Sequence, residues 1–145
     1  MKLIRGNIWD SKALAICVTT NGIVKHNGFA VMGRGIALQA AQRYPELAPE
    51  LGRRLISGGN KVYQFFAHPT IITFPTKHHW RDPSDIKLIE LSAHQLVKMW
   101  KDHPERCALP FPGCANGGLR ISDVLAIIDP ILSDDKFEIW DYKVK

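Results

Sequence analysis

The sequence predicts an α/β domain in which helices cover both faces of a sheet. Three observations lead there. Strand-like and helical runs alternate through the second half of the chain. Two glycine-rich loops each pass from a strand region into a helix start. No repeat, low-complexity stretch or Pro/Gly/Ser linker divides the 145 residues, a length that suits a single domain with one well-buried core. Residues 1–145 are therefore expected to form one domain.

The elements follow in order. Residues 2–8 alternate loosely around Leu3 and Ile4, and residues 13–19 (ALAICVT) have the β-branched, apolar character of a buried strand. Residues 28–35 (GFAVMGRG) form a glycine-punctuated loop, and the helix-forming run IALQAAQRY follows until Pro45 ends it. A second short helix is expected over residues 46–56, stopped by Gly58 and Gly59. Residues 61–66 and 70–74 read as two strands joined by a turn at His68–Pro69. The next helix has the clearest pattern: Ile86, Ile89, Ala93, Leu96 and Trp100 recur at helical spacing. Asp82 is its expected cap, Pro83 suits its first position, and Asp85 favours its positive end. Residues 106–109 form a short strand before the second glycine loop, residues 113–118 (GCANGG). Ser122 is the expected cap of the helix DVLAIIDPIL, and residues 137–142 (FEIWDY) close the sheet.

Composition narrows the function classes. With 46% hydrophobic and 23% charged residues, disorder and collagen-like repeats are excluded. No apolar run is long enough to span a membrane, and the first twenty residues lack a continuous signal-peptide core. Three widely spaced cysteines make no disulfide framework, which favours a reducing compartment, so a cytoplasmic location is expected. The net charge is +5, and it is uneven: residues 1–80 carry 10 basic and 3 acidic side chains, residues 81–145 carry 9 and 11. A basic half attracts phosphates, although a solvated basic surface would look the same. Basic runs never exceed two residues and are not interleaved with aromatics, so base-specific DNA reading is not indicated.

Glycine loops entering helix N-termini suit phosphate oxygens, because backbone N–H groups and the helix dipole face the anion. Neither loop fits a nucleotide fingerprint: Gly33-Arg34-Gly35 lacks the third glycine of GxGxxG, and no GxxxxGK[ST] occurs. Either loop alone is more often a mere tight turn; two in one small domain put a diphosphate ligand on even terms with that reading. Cys114 to Arg120 has the C-x5-R spacing of cysteine phosphatases, in which a thiolate attacks phosphorus, with Asp82 as a possible acid. Gly113 and Ile121 stand where that loop usually has His and Ser or Thr. His26, His68, His78, His79, His94 and His103 come without HExxH or CxxC, so no metal site is expected. Cys17 reads as core, and the absence of GxSxG removes an α/β-hydrolase triad.

Several segments in order resemble a macrodomain, the ADP-ribose-binding α/β/α family. They are Gly6-Asn7-Ile8, Thr20-Asn21, residues 30–39 (AVMGRGIALQ), residues 74–81 (FPTKHHWR) and residues 113–119 (GCANGGL). VMGRGIALQ and FPTKHHWR look specifically like the branch of DNA-directed ADP-ribosyl glycohydrolases, to which the terminal ADP-ribose protein glycohydrolase is more distantly related. The resemblance spans most of the chain and implies three layers around a mixed, about six-stranded sheet.

It also implies roles. The loop of Val31, Met32, Gly33, Arg34, Gly35 and Ile36 and the loop of Gly113, Cys114, Ala115, Asn116, Gly117, Gly118 and Leu119 would flank the diphosphate. Asn21, with Thr20 beside it, would face the distal ribose, where an amide can both donate and accept. Asn7, Ile8 and Tyr142 fall at the adenine end, and Thr76 precedes Lys77, which matches the branch's catalytic lysine. Lys77 and Asn21 are the catalytic candidates. Two departures stand out: Asn7 replaces the usual acid of the adenine end, and Gly117 stands where the protein-directed enzymes have an Asp. The resemblance thus implies an ADP-ribose-binding hydrolase acting on ADP-ribosylated DNA, without cofactor or metal, as a monomer that contacts no membrane. Alternatives are an ADP-ribose 1″-phosphate phosphatase, an O-acetyl-ADP-ribose deacetylase, and a reader that binds without chemistry.

Overall fold

A computed structural model of the chain describes residues 1–66, 69–115 and 117–142. The strands are β1 (Lys2–Arg5), β2 (Ala15–Thr20), β3 (Tyr63–Phe65), β4 (Thr70–Pro75), β5 (Cys107–Pro110) and β6 (Phe137–Asp141). The helices are α1 (Gly35–Arg43), α2 (Leu47–Gly58), α3 (Ile86–Trp100) and α4 (Ile121–Ile131), and a 3-10 turn covers Ile8–Asp10. One sheet runs β1-β6-β5-β2-β4-β3. Its pairs are parallel except β3 with β4, so the sheet is mixed, as expected.

Two-residue alternation divides the core. Ala15 and Cys17 of β2, Ile72 and Phe74 of β4, and Cys107 and Leu109 of β5 face a cluster completed by Ile89, Ala93, Leu96 and Trp100 of α3 and Val124 and Ile128 of α4. Ile16 and Val18, Ile71 and Ala108 face the opposite cluster, with Ala40 of α1 and Leu47, Leu51 and Leu55 of α2. Three layers result, and a strand buried on both faces reads as a continuous apolar run. Truncating a fully buried residue such as Ile72 or Leu96 to alanine should cost about 2–5 kcal/mol. Cys17 and Cys107 sit in the first cluster with their sulfurs 3.6 Å apart, and burial, followed by the Cys107 contact, pushes the Cys17 thiol well above its ordinary range.

Three boundaries differ from the sequence reading. α3 starts at Ile86, and its cap is Asp85, whose Oδ1 accepts from Lys87 N at 2.9 Å. Asp82 and Pro83 lie outside the helix because the chain there is committed elsewhere: Ser84 N donates to Gly117 O at 3.0 Å. α4 is entered through Arg120 in extended conformation, without a side-chain cap, and Ser122 lies within its first turn. β3 is three residues long, and the expected turn residue His68 lies outside the described residues.

Candidate functional site

The carboxyl ends of the five parallel strands open on one side of the sheet, where loops must diverge to reach helices on opposite faces. A cleft of about 970 Å³ lies there. Its walls come from Gly6 to Ile8 after β1, Thr20 and Asn21 at the end of β2, Val31 and the entry to α1, Thr76 and Lys77 after β4, the second glycine loop, and Trp140 and Tyr142 of the β6 end.

The first loop is braced before it reaches the cleft. Val24 and Ala30 form an antiparallel bridge, and Val31 N donates to Ile23 O at 3.0 Å. Asn21 ties the same region: its Nδ2 donates to Val31 O at 3.1 Å, and its Oδ1 accepts from Ile23 N at 3.0 Å. Arg34 then enters α1 in extended conformation without a side-chain cap, so the first-turn amides of α1 face the Gly33–Gly35 side of the cleft.

The second loop is tighter. Gly113 and Gly118 have φ of +77° and +78°, which favours glycine, and Leu119 N closes the loop on Gly113 O at 2.9 Å. A Cβ on Gly117 would overlap Ser84 Oγ and stand 2.5 Å from Gly113 O. Ser84 is buried and its Oγ has no hydrogen-bond partner among the described residues, although it lies on the cleft wall.

Lys77 sits between the loops on a backbone held from several sides. Thr76 N donates to Thr20 O at 3.0 Å, Asp85 N to Thr76 O at 2.9 Å, Asn60 Nδ2 to Lys77 O at 3.0 Å, and Gly22 N to His78 O at 3.2 Å. Lys77 Nζ reaches Trp80 O at 3.5 Å. Arg34, Lys77 and Arg81 outnumber Asp82 along the walls, so the cleft favours an anion. At the other end the indole N–H of Trp140 donates to Glu138 Oε1 at 3.1 Å, and Arg106 holds the second oxygen of that buried carboxylate at 2.9 Å. Asn7 accepts from Trp9 N at 3.0 Å, capping the 3-10 turn that presents Ile8.

Of the residues singled out in the sequence, Asn7, Ile8, Thr20, Asn21, Val31, Gly33, Arg34, Gly35, Ile36, Thr76, Lys77, Gly113, Ala115, Gly117, Gly118 and Tyr142 line the cleft. Met32 does not; it is buried among the α1–α2 core residues. Cys114 and Leu119 pack against the α3–α4 cluster instead, and Asn116 lies outside the described residues. Cys114 Sγ is 3.6 Å from Pro112 O, while the Arg120 side chain is exposed and 3.9 Å from Asp123. Thiol and guanidinium thus do not converge, which removes the geometric basis of the C-x5-R reading. His78 pairs with Asp85 at 2.9 Å, and that hydrogen bond holds the Asp85 carboxyl below its ordinary range. No group of three metal-ligating side chains occurs among the described residues. The wall residues missed in the sequence are chiefly Trp80, Arg81, Ser84, Phe111 and Trp140. For Trp140 a signal existed: it shares its strand face with Glu138, opposite the core residues Phe137 and Ile139.

No protein-family model matches the chain. Among solved structures, the macrodomain of Thermus aquaticus DarG superposes with a TM-score of 0.82 at 29% identity, covering 99% of this chain and 97% of that one. The macrodomain of Mycobacterium tuberculosis DarG gives the same TM-score at 27% identity, covering 99% and 98%. The chain is a macrodomain resembling that of DarG. The macrodomain is also 28% identical over 153 residues to a Thermus aquaticus protein named DNA ADP-ribosyl glycohydrolase, and 36% identical over 107 residues to one of the same name from Mycobacterium tuberculosis. It spans 41% and 30% of the length of these relatives, respectively. The fold is shared with Thermosipho africanus DarTG, whose structure is a complex with ADP-ribose, at a TM-score of 0.82 and 22% identity.

Proposed function

We propose that this macrodomain binds ADP-ribose in the cleft and hydrolyses an ADP-ribosyl linkage, with DNA as the substrate that carries it. One observation carries the reading: a basic cleft bounded by two glycine loops holds Lys77 on a braced backbone between them. The diphosphate fits between the loops, because backbone amides reach it only where no side chain intervenes. Asn21 uses one N–H and one lone pair to fix the first loop. The amide's second N–H and second lone pair serve a hydroxyl of the distal ribose. The DNA preference is supported by the likeness to proteins named DNA ADP-ribosyl glycohydrolase, and by glycine at position 117.

In the proposed reaction Lys77 Nζ, as the neutral amine, attacks C1″ of the distal ribose. The bond from C1″ to the leaving group breaks, its electron pair departs with that group, and the group takes up the proton that the attacking nitrogen sheds. The nitrogen lone pair then expels the ring oxygen from C1″, that oxygen takes the remaining N–H proton, and an open-chain imine results. Water adds to its C1″, the C–N bond breaks with its pair and a proton going to nitrogen, and ADP-ribose leaves with the amine restored. The test is incubation with ADP-ribosylated DNA, ADP-ribosylated protein, ADP-ribose 1″-phosphate and O-acetyl-ADP-ribose, with released ADP-ribose as the readout. Release from DNA with borohydride-trapped adduct on wild type supports the reading. Tight ADP-ribose binding without turnover of any of the four selects a reader.

A further inference from the structure

Lys77 stands beyond the last residue of β4, where the sheet ladder has ended, and a side chain from a distant segment holds its peptide. Asn60 Nδ2 donates to Lys77 O at 3.0 Å, although Asn60 is not one of the cleft-wall residues. The other end of that amide, Oδ1, is buried and has no hydrogen-bond partner among the described residues. A buried acceptor left unsatisfied costs stability, a cost that an apolar side chain of similar size does not carry. The amide is therefore accounted for by its N–H and by what that N–H binds.

The segment that carries Asn60 is itself braced. Gly59 N donates to Leu55 O at 3.0 Å as α2 ends, Tyr63 OH to Gly59 O at 2.7 Å, and Val62 N to Gln95 Oε1 at 2.9 Å. Space on the far side of the amide is tight. A Cβ on Gly22 would stand 2.9 Å from Asn60 Nδ2 and 3.1 Å from His78 O, and Gly22 N donates to that same His78 O at 3.2 Å. The carbonyls of Lys77 and His78 are thus gripped in succession, one by Asn60 and one by the residue that follows Asn21.

We infer that Asn60 is a positioning residue for the reaction: by fixing the Lys77 peptide it aims the amine at C1″ without touching the ligand. The inference rests on the reading of Lys77 as the attacking group. A lysine has a long, flexible stem, so its root must be held if the amine is to meet the same atom in every turnover. Misplacing a reacting group by about 1 Å costs about 10²-fold in rate. Ligand affinity comes from the two glycine loops and does not feel that displacement. Asn60 therefore acts on kcat. Gly22 belongs to the same device, because its missing side chain leaves the room in which the amide faces Lys77 O.

The experiment measures kcat for release of ADP-ribose from ADP-ribosylated DNA, the rate of borohydride-trapped adduct, ADP-ribose affinity and Tm. Asn60→Ala removes the amide, and Asn60→Asp keeps its size but loses the donor. Both should lower kcat and adduct formation by about 10- to 100-fold, with ADP-ribose affinity within about twofold of wild type. Gly22→Ala, which pushes the amide aside, should lower kcat by a similar factor on its own. In the Asn60→Ala background it should cost no more than about threefold, because the group it displaces is already gone. Wild-type kcat in Asn60→Asp, in a protein that Lys77→Ala does inactivate, overturns the inference while leaving the reading of Lys77 intact. So do effects of Gly22→Ala and Asn60→Ala that multiply in full, or a fall in Tm and ADP-ribose affinity with kcat of the folded protein unchanged. Equal turnover by wild type and Lys77→Ala, or none by folded wild type, removes both readings.

Discussion

Replacing Gly117 by alanine adds a methyl group where the second loop has no room. The new Cβ would overlap Ser84 Oγ, and it would lie 2.5 Å from Gly113 O and 2.9 Å from Gly113 C. The hydroxyl can rotate away, but the Gly113 backbone cannot yield cheaply, because its carbonyl receives Leu119 N and its φ of +77° is already restricted. Overpacking of this kind costs about 1–3 kcal/mol. At about 2–4 °C per kcal/mol for a domain of this size, Tm should fall by roughly 3–10 °C. Because the loop moves, ADP-ribose affinity should drop by about tenfold or more, equivalent to about 1.4 kcal/mol. Gly33 supplies the control. No atom lies within 4 Å of a Cβ built there, so Gly33→Ala should leave Tm within about 1–2 °C. Any affinity it loses then reports the ligand rather than the fold. Adding Ser84→Gly to Gly117→Ala should restore stability only in part, since the Gly113 carbonyl remains in the way. Thermal unfolding and calorimetry with ADP-ribose on the four proteins decide the matter. A Gly117→Ala protein with wild-type Tm and affinity would refute the claim that the loop needs glycine for close approach.

Lys77→Ala should reduce release of ADP-ribose from DNA by about 10²-fold or more while ADP-ribose affinity changes far less; equal rates for variant and wild type would remove Lys77 from the chemistry. The Asp85 carboxyl is held low by His78, so the charge it contributes stabilises the fold above the ordinary carboxylate pKa and is lost as pH falls through the lower folded value. Asp85→Asn keeps a capping oxygen for α3 but not the charge, so wild type should be more stable at pH 6 by under about 1 kcal/mol, with the gap closing below about pH 4; a gap that widens in acid contradicts the assignment. Iodoacetamide on folded protein should label Cys114 first, and Cys17 and Cys107 only on unfolding, as mass spectrometry of peptides can show. Cys114→Ser should retain most activity, because the thiol faces Pro112 O and not the cleft.

The parts of the fold that repeat at a fixed period were legible. Ile89, Ala93, Leu96 and Trp100 are all fully buried on one side of α3, as their spacing implies. The glycine loops were legible too, since close backbone approach leaves a compositional mark. What was not legible depends on contacts far apart in sequence. Asp82-Pro83 has the local chemistry of a helix start, and only the bond from Ser84 N to Gly117 O explains why the helix waits until residue 86. Trp80 gains its place from where β4 ends in space, and nothing local distinguishes it from a core tryptophan such as Trp100; for Trp140 the strand face shared with Glu138 was the one local sign. The second task of Asn21, tethering Val31, likewise needed the loop beside it.

The strand order has a consequence for how the chain is made. Among the described residues, β1 hydrogen-bonds to β6 alone, pairing Lys2–Arg5 with residues 138–141. In a nascent chain β1 thus stays unmatched until β6 has cleared the exit tunnel, and this pairing closes the longest loop among the described strand pairs. The earlier strands can collapse onto α1 through α3 while Lys2, Leu3, Ile4 and Arg5 still wait. Gly6–Ile8 and Trp140, which form one end of the cleft, are mounted on that final pair. Ligand competence should therefore appear only once residues 137–141 have emerged, and a ribosome stalled before residue 137 should hold a chain that cannot yet grip a nucleotide.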